Sequence, residues 1–348
     1  MKNEEIILNL RNRIVSGEFP PGAPLPRRHE LLSHYKASNV TVQRAVNQLT
    51  EEGFIESRGS KGIYVSLTPP HKFRFAVVIP PDHREQGVNG DTQWEALEKA
   101  TVEIRRDAPE YTFEFYNIGD GPDIGQPDFR RLLRDLGYGL SAGVILAAPL
   151  DRPLLEKLRP FPAVSHDPKY EGSIPGTVMK YDYVAMARMA VARLAERGAS
   201  KIAVLLAART NLLLVSRIEQ AIQEAAGVTT RPEWIQGVHH QPPQSAVWVS
   251  RIIRLLYAPG MPETPDGLLV LNENLLPHIM NTLSVTGQLP GRSPLIVSHC
   301  NTPSVRPFYP EVEYLTFNAV NLLRRSISLL QRPSGQPDAV EWIAPEHI

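Results

Sequence analysis

Ile6, Leu10 and Ile14 recur at helical spacing and predict a first helix, closed by Gly17, where a left-handed residue is wanted. The segment EFPPGAPLP (18–26) holds four prolines and cannot be regular structure. A second helix is predicted just after Pro26, with Leu31, Leu32 and Tyr35 on its inner side. Ser38 is a good N-cap for a third, which presents Val42, Ala45, Val46 and Leu49 at i, i+3, i+4, i+7 before Gly53 ends it. Two β-prone runs, 54–57 and 63–65, flank Arg58-Gly59-Ser60-Lys61-Gly62, a hairpin turn with two glycines. Three helices and a hairpin over 1–66 are the order of a winged helix-turn-helix.

The stretch 67–72, with Pro69-Pro70, reads as a linker. Beyond it the pattern alternates. Strand-like runs are FAVVI (75–79), FEFY (113–116), GVILA (143–147), AVS (163–165), IAVLL (202–206), LLVL (268–271) and LIVS (295–298). Helix-period segments lie between them at 93–108, 128–137, 183–197, 212–226, 245–257, 274–286 and 318–331. Buried strands alternating with helices predict a doubly wound parallel sheet, so the fold class is α/β. Some 275 residues is long for one such sheet, which argues for two lobes with a cleft. The expected lobes are about 73–180 with 317–332, and 181–316 with 333–348.

Composition narrows the function. The 348 residues are 42% apolar and 21% charged, which excludes wholesale disorder. Lys plus Arg and Asp plus Glu both number 37, which excludes a uniformly basic coat but not a local basic patch. No apolar run approaches the roughly twenty residues of a membrane span, and MKNEEIILNLRNR is unlike a secretory signal, so a cytoplasmic protein without membrane contact is expected. Cys300 is the single cysteine and forms no CxxC pattern. His239, His240, His278 and His299 lack ligand spacing and read as scattered structural or surface residues, so no metal is expected. Walker and Rossmann glycine patterns are missing, so no cofactor is expected. Gly139-Leu140-Ser141-Ala142-Gly143 fits G-x-S-x-G, but a loop precedes Ser141 and a strand follows, the reverse of a nucleophile elbow. No catalytic residue is expected.

On the third helix, the face opposite the apolar stripe carries Asn39, Thr41, Gln43, Arg44 and Asn47. Arg, Asn and Gln suit contact with guanine or adenine edges, while Ser38 and the helix start can donate to phosphate. Residues 11–61 hold eight Lys or Arg against five acids; a solvated helix face with ordinary charges explains that excess equally well.

Resemblance separates the two. Ile14, Gly17, Pro21-Gly22, Leu25-Pro26, Glu30-Leu31, Ser38, Thr41-Val42, Ala45, Leu49, Gly53-Phe54-Ile55, Arg58-Gly59 and Lys61-Gly62-Ile63-Tyr64-Val65 resemble the DNA-binding domain of the GntR family of bacterial regulators. The family usually has Arg where this chain has His29, and often Arg where it has Asn39, with Arg27 and Arg28 standing nearby. The resemblance implies DNA contacts from Arg27, Arg28, His29, Ser38, Asn39, Thr41, Gln43, Arg44, Arg58, Lys61 and Gly62. From about Phe73 to Trp342 the chain resembles the sugar-sensing domain of the LacI family, itself similar to periplasmic sugar-binding proteins. The matching stretches are 75–80, 143–146, Phe161-Pro162-Ala163-Val164 with Asp167, LAERGASKIAVL (194–205), GLLVLNE (267–273) and PLIVSHCN (294–301). The pair of domains resembles that of arabinose-repressor-type regulators.

Ligands of parallel α/β sheets bind beyond the carboxyl ends of strands. Those ends offer Asp82 to Trp94, which includes Asp91, then Asp167, Asn272-Glu273 and His299-Cys300-Asn301. The resemblance places Asp167, Arg217 and Asn272 at hydroxyl-holding positions, with Cys300 at a fourth that is usually Asp and Asn301 beside it. The expectation is a homodimeric repressor of carbohydrate-utilisation genes that binds operator DNA and a sugar effector. The alternatives are a regulator answering to a non-sugar molecule, or a sugar-metabolising enzyme with an accessory winged helix.

Overall fold

The computed structural model describes residues 2–81, 92–119, 121–166, 176–207, 212–238, 244–258, 260–288, 293–304, 308–332 and 339–348. Helices α1 (Lys2–Val15), α2 (Arg28–Tyr35) and α3 (Asn39–Glu51) are followed by strands β1 (Ile55–Ser57) and β2 (Ile63–Val65), which pair antiparallel as a wing. Ile6, Leu10, Ile14, Leu31, Val42, Ala45, Leu49 and Phe54 are buried together as the core of this domain. Gly17 adopts φ 84°, the left-handed conformation expected of the residue that stops α1.

The expected linker is not an open tether. Pro70–Phe73 forms a short helix, α4, and His71 stacks on Phe54 with ring centroids 6.0 Å apart. Arg11, on α1, is 2% exposed, donates to Glu52 at 2.5 Å, and lies 4.7 Å from the ring centroid of Tyr138. Leu140 packs against the winged-helix core, and the Arg74 guanidinium donates to the Glu52 carbonyl at 3.5 Å. The winged helix is thus seated on the α/β part of the chain through the Arg11–Tyr138 ring contact, the Arg74 hydrogen bond and one leucine.

The rest builds two sheets. The first takes β3 (Arg74–Ile79), β4 (Thr112–Asn117), β5 (Gly143–Leu146), β6 (Ala163–Ser165) and β7 (Gly176–Tyr181); the second takes β8 (Ile202–Ala207), β9 (Ile235–Val238), β10 (Gly267–Val270), β11 (Leu295–Thr302) and β12 (Val312–Asn318). Strands β13 (Ala339–Ile343) and β14 (Glu346–His347) complete them, giving the orders β13-β7-β6-β5-β3-β4 and β14-β12-β11-β10-β8-β9. Among the described residues, the pairings within β3–β7 and within β8–β12 are parallel. The helices are α5 (Thr92–Asp107), α6 (Pro127–Gly137), α7 (Arg152–Leu158), α8 (Tyr183–Glu196), α9 (Leu212–Gln223), α10 (Gln244–Leu256), α11 (Leu276–Val285) and α12 (Ala319–Leu330). Side chains alternate across the second sheet. Ile202, Val204 and Leu206 pack with α8 and α9, whereas Ala203 and Leu205 pack with α10 and α11. That is the doubly wound arrangement.

Contacts divide the chain into one unit of Met1–Pro81, Glu103–Met179 and Arg324–Val340, and a second of Asp82–Val102, Lys180–Leu323 and Glu341–Ile348. The division differs from the expected lobes: 82–102 and 317–323 fall in the second unit, and 333–340 in the first. Strands β7, β9, β12, β13 and β14 and helix α7 were not predicted. Among them, polar residues interrupt VEYLTFN and GTVMKY, a glycine interrupts IQGV, and α7 is only seven residues long.

Candidate functional site: a nucleic-acid face and a strand-end pocket

The recognition face is organised by hydrogen bonds along α3. The Ser38 hydroxyl accepts from the Thr41 amide at 3.3 Å, fixing the helix start. The Arg28 guanidinium donates to the Gln43 carbonyl oxygen, and the Gln43 amide donates to Asn47 at 2.7 Å. This chain holds three long polar side chains in one row. Together with Thr50, Glu51, Ser57, Gly59 and Gly62 they line a groove of about 430 Å³ between α3 and the wing. Arg44, Asn39, His29 and Arg27 stand exposed outside it, and Thr41 is half-buried beside Ser38.

In the wing, Arg58 is already engaged: it donates to Glu56 at 2.7 Å and stacks over Tyr64 at 4.4 Å. Lys61 is the exposed cation of the turn. Gly62 sits at φ 108°, which a side chain would strain, so a glycine is required to return the strand.

The second site lies in the second unit. Running β9-β8-β10-β11-β12, strand order reverses at β8, and such a reversal opens a crevice beyond the carboxyl ends of the strands on either side. A cavity of about 220 Å³ is found there, lined by the ends of β8 (Leu206, Ala207), β10 (Leu271, Asn272) and β11 (His299, Asn301). Gln93, Tyr183, Asn274 and the α9 residues Leu214 and Ile218 complete it.

Polar groups around this cavity are tied down from behind. The Glu273 carboxylate accepts from the Asn301 amide N–H at 3.0 Å, from its side chain at 2.6 Å, and from the Thr92 hydroxyl. Asn272 accepts from the Asn274 backbone N–H at 3.0 Å, capping the turn that follows β10. His299 is buried beside Tyr183 and Phe317, and burial pushes its imidazole down to about 4, so the ring is neutral at pH 7.

Of the expected effector residues, Asn272 and Asn301 are brought together here. Asp91 and Asp167 lie outside the described residues. Three expectations need correction. Cys300 points to the opposite face of β11, into the apolar layer under α10 and α11, where burial raises its thiol to about 12. Trp94 is a buried core aromatic on α5 and does not line the cavity. Arg217 is exposed; Leu214 and Ile218, four apart, form the stripe of α9 that meets the cavity, and Arg217 is turned about 100° from Ile218. Asn274 was missed, and His299, although offered at a strand end, was read as a structural or surface histidine. Extending the β11 strand through His-Cys-Asn would have put 299 and 301 on one face by alternation. Ser141 precedes β5 rather than following a strand, so the nucleophile-elbow arrangement is not formed.

Residues 2–65 match the model of bacterial regulatory proteins of the gntR family. The chain joins a GntR-type helix-turn-helix to a LacI-like regulator fold. Over 61 residues the GntR-type domain is 38% identical to the mannosyl-D-glycerate transport/metabolism system repressor MngR of Escherichia coli (strain K12), covering 18% of this chain and 25% of that protein. The chain therefore spans about a quarter of the length of that curated relative. The LacI-like fold is seen in a LacI family regulator from Arthrobacter sp. FB24 in complex with lactose, at TM-score 0.57 and 17% identity over 79% of this chain and 97% of that one. The transcriptional regulator CelR, in its cellobiose complex, gives TM-score 0.57 and 14% identity over 90% of each chain.

A pH dependence follows from two buried histidines, His166 and His299, and the half-buried His71. Burial lowers His71 to about 4, His166 to about 3 and His299 to about 4. Their folded values lie below the ordinary value of 6.5, so the unfolded chain binds more protons in between. The stabilisation is present above about pH 6.5 and lost as pH falls towards 4. Urea midpoints measured across that interval should drop steadily, and His71→Phe should flatten the curve.

Proposed function

We propose that this protein is a cytoplasmic, homodimeric transcription regulator that represses carbohydrate-utilisation genes and responds to a sugar. One observation carries the reading: the same chain presents an ordered polar recognition face beside a wing and a strand-end cavity lined by amides and apolar side chains. The name of the Escherichia coli relative, a repressor, supports the first half; the lactose and cellobiose complexes of the structural neighbours support the second. A lone winged helix buries little DNA surface, and two copies on paired half-sites multiply affinity.

The test is selection of a binding site from random DNA by the full chain, followed by footprinting and titration. A pseudo-palindromic footprint is expected. Arg44→Ala and Gln43→Ala should lose about 1–3 kcal/mol of discrimination between that site and scrambled DNA. Lys61→Ala should weaken both DNAs alike and reduce the salt slope by about one. Full affinity and discrimination in all three variants would remove α3 and the wing from the DNA interface.

A further inference from the structure

The cavity in the second unit contains buried polar atoms that no protein group satisfies. His299 is 6% exposed, and neither of its ring nitrogens has a hydrogen-bond partner; Asn274 is 7% exposed, and its side-chain oxygen has none. Both residues line the cavity. Folded proteins satisfy nearly all buried polar atoms, so three unsatisfied ones on one wall point to a group that arrives from outside. The imidazole packs beside Phe317 and Tyr183, at 5.7 Å and 6.2 Å between ring centroids.

The chemistry of the remaining wall narrows the ligand. Its other polar side chains include the amides of Gln93, Asn272 and Asn301, which both donate and accept. No Lys or Arg lines the cavity among the described residues, while the Glu273 carboxylate stands directly behind Asn301. An anionic ligand would meet that carboxylate without a counter-charge. The wall formed by Leu206, Leu214 and Ile218 suits the C–H face of a sugar ring.

Resting on the reading of this cavity as the effector site, we propose that His299 and Asn274 are the pair that selects the effector. The effector is an uncharged polyhydroxyl compound, with one hydroxyl donating to the Asn274 oxygen and another pairing with the neutral imidazole. A neutral imidazole offers one donor and one acceptor, which a hydroxyl can match in either sense.

The test has two arms, both on the full chain. In the absence of any sugar, thermal unfolding of His299→Phe and Asn274→Leu compares each with wild type. Each variant trades unsatisfied buried polar atoms for an apolar side chain of similar size, so its midpoint should be unchanged or higher. A marked fall in either midpoint would show that these atoms serve the fold and would overturn the proposal. The second arm is calorimetric titration with neutral mono- and disaccharides, including glucose, lactose and cellobiose, and with glucose 6-phosphate as the charged counterpart of glucose. A neutral sugar should bind wild type, each variant should bind it about ten-fold or more weakly, and the phosphate ester should bind less well than its parent. Unchanged affinity in both variants, or preference for the ester, would overturn the assignment. If no sugar binds wild type while both variants gain stability without ligand, the sugar reading falls and the assignment of the pair to a ligand stands.

Discussion

Glu52→Ala should unfold the winged helix at denaturant concentrations that leave the wild-type domain intact, at a cost of about 3–5 kcal/mol. The substitution removes the counter-charge of Arg11, whose side chain is 3% exposed and has no route to water without disrupting α1 and the Tyr138 contact. A guanidinium buried without a carboxylate is among the most destabilising outcomes a single change can produce. The rings of Phe54 and Tyr138, 5.6 and 4.7 Å from the guanidinium carbon, offset only part of the loss. Glu52→Gln keeps an acceptor and should cost less. Arg13→Ala is the control. Its pair with Glu18 is a surface contact, with Glu18 53% exposed, and should matter by less than about 1 kcal/mol. Chemical denaturation monitored by α-helical circular dichroism measures all three, and equal effects of Glu52→Ala and Arg13→Ala would sink the idea.

Glu273→Ala should loosen the cavity and destabilise the second unit together. The carboxylate holds the Asn301 backbone, the Asn301 side chain and the Thr92 hydroxyl, so its loss strands three donors. Each donor left unpaired in a buried place costs on the order of 1–3 kcal/mol. The Asn301 side chain would keep only its bond to the Thr92 hydroxyl at 3.1 Å, and ligand response should weaken sharply even in protein that remains folded. Glu273→Gln can still accept but brings an N–H of its own where donors already converge, so an intermediate loss is expected. Thermal unfolding and ligand titration of the two variants check this; wild-type behaviour of Glu273→Ala in both would count against the positioning role of the carboxylate.

The winged helix was legible because its core is local: Ile6, Leu10 and Ile14, then Val42, Ala45, Val46 and Leu49, write their helices in the spacing of single segments. Doubly wound order was legible from runs such as FAVVI and IAVLL, apolar on both faces. Edge and polar-bearing strands were not. Burial in β12 comes from neighbours far along the chain, and VEYLTFN by itself fits several structures. At the cavity, the strand-end rule was enough to find Asn272 and Asn301. Side-chain direction was not, because it depends on where β11 stops. Ending that strand at 298 left 299–301 as a loop in which Cys300 was free to face a ligand; pairing to Thr302 sends it inward instead.

The contacts of Arg11, Tyr138 and Leu140 bear on how freely such regulators can exchange parts. A reading head joined by a bare string could be moved onto any sensor by cutting the string. This one carries a socket on its α1 side that is filled by the turn after α6, where even a methyl group at Gly139 would come within 2.8 Å of Val15. A chimaera spliced at residue 66 or 72 would expose the leucine-filled face and deprive Arg11 of the Tyr138 ring, leaving only Phe54 over it. A functional transplant must therefore carry residues 138–140 with the head, as a plug travels with its socket.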